Sequence, residues 1–199
     1  MKYFIGIDPG ITGGFAVIDS SGKLLDCGEM PLIGNSLDVV ALARRLWKYK
    51  YDSMSIFEEV GGMPNQSCVS TFTFGHTTGQ QLCVLKILKI PYEEVDPIQW
   101  KKNVLKGLPW KAKITRFSSP KGTSKAEKAK LKIAHDFKYK TSNGRAKREA
   151  KKVSCQFVLG RFPRANILRG IRVKKPHDGI GDAICMAYYG YLKNHGALL

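Results

Sequence analysis

Between residues 2 and 30 the chain passes through three short apolar stretches separated by turn residues. This pattern predicts strands at about 2–8, over Gly14–Asp19 and at about 23–30, with Ser20-Ser21-Gly22 turning between the last two. The arrangement reads as an antiparallel meander. Asn35-Ser36 then predicts a cap for a helix reaching about Lys50, whose apolar face comprises Leu37, Val40, Ala41, Leu42, Leu46 and Trp47. A buried strand is expected over residues 54–60, a Gly/Ser/Thr-rich loop over 61–78, and a helix carrying Leu82, Leu85 and Leu88 after it. Tyr92-Glu93-Glu94-Val95 is a short strand. Asp96-Pro97-Ile98-Gln99 opens a helix, with Asp as cap and Pro at the first helical position. Lys-rich helical stretches broken at Thr141-Ser142-Asn143-Gly144 follow, then a helix over about 146–162 stopped by Pro163 and a final helix from about Asp178 to Lys193. A meander followed by alternating helix and strand predicts an α/β fold, a mixed five-stranded sheet flanked by helices.

Composition narrows the class. A chain of 199 residues with 43% hydrophobic content is expected to form one domain over 1–199 and is too apolar for wholesale disorder. No run approaches the ~20 apolar residues of a membrane span. Charge enters the first residues too early for a signal peptide, which leads to the expectation of a cytoplasmic protein. Five scattered cysteines without a CxxC pair suggest neither disulfides nor zinc and read as small buried hydrophobes.

Charge changes the picture more. The net charge is +17, but residues 1–100 carry 8 Lys and Arg against 11 acids, 101–152 carry 18 against 3, and 153–199 carry 7 against 2. The excess therefore belongs to a Lys-rich helical insertion at about 108–145 and its flanks. Ordinary exposed helices mix both signs, and this one does not. It is expected to grip a polyanion, with Lys101, Lys102, Lys111, Lys113, Arg116, Lys147 and Lys151 as candidate DNA-binding residues.

Four acids stand out in the remainder. Asp8 ends an apolar strand beside the tight turn Pro9-Gly10-Ile11-Thr12-Gly13-Gly14. Glu58 and Glu59 interrupt a hydrophobic strand near its end, and since successive side chains alternate faces, only one shares the face of Asp8. Asp178 and Asp182 lie four residues apart, on one face at the start of a nearly all-apolar helix. Singly, these read as turn or capping residues. Jointly, buried carboxylates from two strand ends and a helix start call for a divalent cation. Oxygen-only ligands suit Mg²⁺, with Mn²⁺ as a substitute. Beside a polyanion groove, that site fits phosphodiester hydrolysis by two metals, one activating water and one stabilising the leaving 3′ oxygen.

In order along the chain, Gly6-Ile7-Asp8-Pro9-Gly10-Ile11-Thr12-Gly13, Phe57-Glu58-Glu59-Val60, Phe72-Thr73-Phe74-Gly75, Pro97-Ile98-Gln99-Trp100-Lys101-Lys102 and Lys174-Lys175-Pro176-His177-Asp178-Gly179-Ile180-Gly181-Asp182-Ala183 resemble the RuvC Holliday-junction resolvases, in particular their bacteriophage branch. The resemblance covers about 1–107 and 146–192. It implies an RNase H-like fold, a homodimer, Mg²⁺ dependence and symmetric nicking of four-way junctions in recombination, leaving 5′-phosphate and 3′-hydroxyl ends. A phage-encoded member would act in the host cytoplasm. On this likeness Asp8 would bridge both metals, Glu58 would be the second-strand ligand and Asp182 would match the acid before Ala in the final helix. Asp178 fills the partner role one residue off the cellular spacing, which leaves His177 as an alternative contact and Glu59 as a further candidate. Lys101 falls near a phosphate-contacting lysine. Cellular members carry an aromatic after Glu-x-Val where this chain has Gly61, so stacking at the crossover would fall to Phe72 or Phe74, for which core packing is the competing reading.

Two other classes share parts of this pattern. A sugar-kinase or ATPase-like phosphotransferase has the Asp-x-Gly-x-Thr turn but needs a second lobe and roughly twice the length. The other is a non-catalytic branched-DNA-binding protein, which Asp8→Asn would separate from a nuclease by leaving its activity unchanged.

Overall fold

A computed structural model describes residues 1–61, 67–168 and 175–198. In chain order the elements are β1 (Tyr3–Asp8), β2 (Gly14–Asp19), β3 (Leu24–Glu29), β4 (Leu32–Ile33), β5 (Ser36–Leu37), α1 (Val39–Trp47), β6 (Ser53–Glu58), α2 (Cys68–Ile87), β7 (Tyr92–Val95), α3 (Pro97–Val104), α4 (Lys125–Arg161) and α5 (Asp178–Asn194). The main sheet has the order β3-β2-β1-β6-β7. β1 and β2 pair antiparallel with Asp8 opposite Gly14, and β2 pairs antiparallel with β3. β6 runs parallel to β1 with Phe57 beside Ile7, and β7 runs parallel to β6. The expected mixed five-stranded α/β sheet is thus present. Among the described residues no helix is long and apolar enough to cross a membrane.

The chain divides into two compact units, Met1–Lys106 with Ser154–Leu199, and Gly107–Val153. In the first, strand alternation sorts side chains between two helical layers. Ile5, Ile7, Phe15, Val17 and Phe57 pack with Leu42 and Leu46 of α1 and with Val84 and Leu85 of α2. Phe4, Gly6 and Ile56 point to the other face, where α5 crosses. Gly6 is required there by close approach: a Cβ would collide with the Ala183 carbonyl and the Ala187 amide of α5. Because the obstacle is backbone, Gly6→Ala should lower stability by about 3 kcal/mol or more. In a thermal melt this reads as a Tm drop of roughly 10 °C, and an unchanged Tm would refute this packing.

Several local expectations are corrected. Asn35-Ser36 does not cap α1; the pair lies in and beside the small β4–β5 ladder, and Asp38 caps instead, accepting from the Ala41 amide at 2.9 Å. Val40 and Trp47, assigned to the buried face of α1, are each 58% exposed, because Leu42 and Leu46 define the inner stripe. Most of the expected 61–78 loop is the start of α2, capped by Ser67, whose hydroxyl accepts from the Ser70 amide at 3.1 Å. The Thr77 and Thr78 hydroxyls donate back to the Thr73 and Phe74 carbonyls, so the residues that suggested a loop are satisfied inside the helix. Residues 62–66 of that loop, and Lys174 of the His177 motif, lie outside the described residues.

The break at 141–144 is likewise absent, since α4 is continuous. Asn143 spends its side chain on the Thr115 backbone, accepting from its amide at 2.8 Å and donating to its carbonyl at 3.0 Å. One mid-helix Gly, at a cost of about 1 kcal/mol, is then tolerated. Cys155 and Cys185 are buried as expected, Cys27 is half-buried, and Cys68 and Cys83 are exposed on the outer side of α2.

Candidate active site

Asp8 sits at the C-terminal end of β1, on the face toward α5. The turn after it is held from the opposite helical layer. Gln81 of α2 is wholly buried, accepts from the Gly10 amide at 3.3 Å and donates to its carbonyl at 3.4 Å. The Phe74 ring lies beside Gly10, close enough that a Cβ there would stand 3.1 Å from it. From the other side the first turn of α5 presses in at Gly179, where a Cβ would lie 2.8 Å from Asp8 Oδ2 and 2.7 Å from the Thr12 carbonyl. Glycine at this position lets the helix start reach the carboxylate.

Glu58 follows Ile56 by two residues and so shares the α5 side of the sheet with Asp8. Its Oε2 accepts from Nε1 of the fully buried Trp100 at 2.9 Å. Glu59 takes the opposite parity, is exposed, and donates its amide to the Val95 carbonyl. Asp182, one turn into α5, accepts from the buried Ser154 hydroxyl. Asp178 stands one turn before it at the exposed start of the helix. His177 caps α5, its Nδ1 accepting from the Ile180 amide at 3.2 Å, so the ring proton belongs on Nε2, which faces Glu29 Oε2 at 3.9 Å.

These carboxyls feel one another. Burial pushes Asp8 well above the ordinary carboxylate range, and Asp182 and Glu58 push it further, while the Lys101 ammonium opposes them. Burial likewise raises Asp182 from 3.8 to about 6, against the pull of Lys101 and the Ser154 hydrogen bond. A carboxyl with a raised native pKa binds protons more tightly folded than unfolded. Its stabilising contribution is complete below pH 3.8 and is lost as pH rises through about 6. For Asp182 the loss corresponds to about 3 kcal/mol. Asp182→Asn should therefore raise the metal-free Tm at pH 8 by several degrees and flatten its fall between pH 4 and 6. An unchanged pH profile would count against a desolvated Asp182 carboxylate.

The structure thus brings Asp8, Glu58, Asp178, Asp182 and Lys101 into one electrostatic group and leaves Glu59 outside it. Among the described residues, no three His, Cys, Asp or Glu side chains converge closely enough to hold a metal ion as they stand. The donor set is nonetheless of the right kind: oxygen only, half-buried at Asp8, Glu58 and Asp182, and carrying negative charge that raises its own proton affinity. Phe72 is 75% exposed and stacks on His76, contrary to a core role, whereas Phe74 is half-buried against the Asp8 turn. Lys102 is exposed on α3, and Lys111, Lys113, Arg116, Lys147 and Lys151 are exposed in the second unit.

Sequence reading missed Gln81, Trp100 and Ser154. Gln81 had a signal, since it shares the helical stripe of Leu85 and Leu88. For the Trp100–Glu58 bond, 42 residues apart in sequence, there was none.

The sheet order and its flanking helices define the RNase H-like class. The chain is similar to a structure of Thermus thermophilus RuvC, with a TM-score of 0.52, 16% identity and 98% of each chain covered. It is also similar to T. thermophilus RuvC in complex with Holliday junction substrate, with a TM-score of 0.55, 16% identity, and 100% of this chain and 98% of that one covered. No family model and no curated protein match the sequence. The shared property is the fold.

Proposed function

We propose that this chain is a divalent-metal-dependent endonuclease that resolves four-way DNA junctions, and that it belongs to the bacteriophage branch of the RuvC resolvases. The observation that carries this is the mutual electrostatic influence of Asp8, Glu58 and Asp182, carried by two strands and a helix on one face of the sheet. The fold shared with a junction-bound RuvC structure supports it.

Asp8, Glu58, Asp182 and Asp178 would hold Mg²⁺ or Mn²⁺, which when bound supplies Lewis-acid polarisation of the scissile phosphate and an activated water. Trp100 orients Glu58 through its indole N–H, and Ser154 orients Asp182. Gln81 fixes the backbone on which Asp8 stands. Lys101, whose charge already offsets those of Asp8 and Asp182, would receive the phosphate. Cleavage in this way leaves 5′-phosphate and 3′-hydroxyl ends.

Cutting two strands symmetrically needs two centres, hence a homodimer. The exposed side of α2 suits a second copy: Val69, Phe72 and Ile87 stand in solvent, and Gly75 and Gly79 leave open space around their Cα atoms. The site of action would be the cytoplasm, that of the host for a phage-encoded protein.

A second reading, a junction-binding protein without nuclease activity, is favoured by the lack of a converged ligand cage among the described residues. Labelled four-way junction, fork and linear duplex incubated with Mg²⁺, Mn²⁺ or EDTA separate the two. The nuclease reading expects metal-dependent cutting of the junction in preference to duplex. Equal cutting of all three would remove structure selectivity, and binding without cutting in either metal would establish the second reading.

A further inference from the structure

The second unit carries a feature that phosphate gripping does not explain. On a helix of 3.6 residues per turn, Lys130, Ile133, Phe137, Lys140, Lys147 and Arg148 fall on one side of α4. The opposite side is occupied: His135 packs edge-on against Phe117 and beside Tyr139, and Asn143 holds Thr115. The outward side is bare, with Phe137 86% exposed and Ile133 71% exposed, one helical turn apart. Of the three acids of α4, Glu127 and Glu149 lie off this side and Asp136 stands at its edge, one turn from Lys140. Glu127 folds back onto Ser124, Asp136 pairs with His135 at 3.2 Å, and Glu149 pairs with Lys152 at 2.7 Å. A large aromatic held in solvent amid cations, with one acid at the edge that is already paired to His135, is costly unless something covers it in the working state.

We infer that Phe137 and Ile133 form an apolar wedge within a cationic face, and that its occupant is DNA with exposed base faces, as at a branch point or in single strand. Charge selects this partner. A second copy docked through the same face would set its own Lys130, Lys140, Lys147 and Arg148 against these, a repulsive arrangement. An acidic membrane surface would satisfy the lysines, but Ile133 and Phe137 alone on this side of a 37-residue helix do not make the continuous stripe that lies in a bilayer. Nucleic acid offers phosphates to the lysines and, where bases are unstacked, a π-face to the phenyl ring. Within intact duplex that face is hidden, so the wedge confers preference for branched or unpaired DNA, which lysines alone do not.

The inference rests on DNA being the ligand in the function proposed above but not on cutting, so it is tested by binding in EDTA. Full-length wild type, Phe137→Ala, Phe137→Trp and the double variant Lys130→Ala/Lys140→Ala are titrated with a four-way junction, a single strand and a linear duplex at several salt concentrations. Phe137→Ala should weaken junction and single-strand binding by about tenfold, with duplex affinity and salt slope unchanged. Phe137→Trp should restore binding and quench a 2-aminopurine placed at the crossover. The lysine pair should weaken all three ligands and lower the salt slope by about 2. Equal loss on duplex, no loss on any ligand, a smaller sedimenting species for Phe137→Ala, or Phe137-dependent binding to anionic vesicles would each overturn the wedge. A wild type that cuts junctions while Phe137→Ala binds normally fails this inference alone; selective loss of binding in a wild type that never cuts fails the nuclease reading alone.

Discussion

Asp8→Asn is expected to abolish cutting of a four-way junction, by more than about 10³-fold, while leaving junction affinity intact. The substitution preserves shape and the Gln81-held turn but removes the charge at the centre of the acidic group. Stability should move the opposite way. Asp8 is half-buried, and its ionisation is opposed by desolvation and by Asp182 and Glu58, so the neutral amide should raise the metal-free Tm at pH 8. Mg²⁺ should raise the Tm of the wild type, by the equivalent of about 2.7 kcal/mol at 100 times its dissociation constant, and leave the variant's Tm nearly unchanged. Retained cutting would remove Asp8 from the chemistry. Loss of both cutting and binding would point to a damaged fold, which the melt detects independently. The combination of lost activity and gained stability is the signature of carboxylates kept together for function against their own repulsion.

Deleting residues 111–145 is expected to have the next largest effect. The segment carries 11 Lys and Arg against 2 acids, and it falls within the compact unit Gly107–Val153. If six or more of these cations meet phosphates, the deletion should cost about 10³-fold in affinity near 50 mM salt and reduce the slope of log affinity against log salt by about 5. Both are read from anisotropy titrations over a salt series, with circular dichroism and a melt to verify that the sheet survives. Chemistry should persist, because Asp8, Glu58, Asp178, Asp182 and Lys101 all lie in the other unit. Unchanged affinity and slope would show that the charge serves solubility or another ligand.

The strands could be read because β1, β2 and β6 are short apolar runs ended by turn residues. The acid group could be read in part, since parity along a strand admits only one of Glu58 and Glu59 beside Asp8. Helix limits were harder. Thr77 and Thr78 look like loop residues until their hydroxyls are seen to bond within α2, and Asn143 looks like a break until Thr115 is seen to occupy it. Val40 and Trp47 fit an apolar face that the sheet does not cover. At Asn143 the deciding partner is 28 residues away, whereas at Thr77 and Thr78 it is the carbonyl one turn back, and in both places the residue type alone admits two locally acceptable conformations.

By itself the sequence determined the mixed sheet, the acids at its strand ends and the concentration of positive charge after residue 100, because alternation, turn chemistry and charge are local properties. Only the tertiary structure decided which acids feel one another, that Trp100, Ser154 and Gln81 hold them or their backbone, and that one side of α4 is exposed at Phe137 and Ile133. Those depend on which residues approach across the fold, where burial and distance set the energy of a charge or a ring and residue type alone does not.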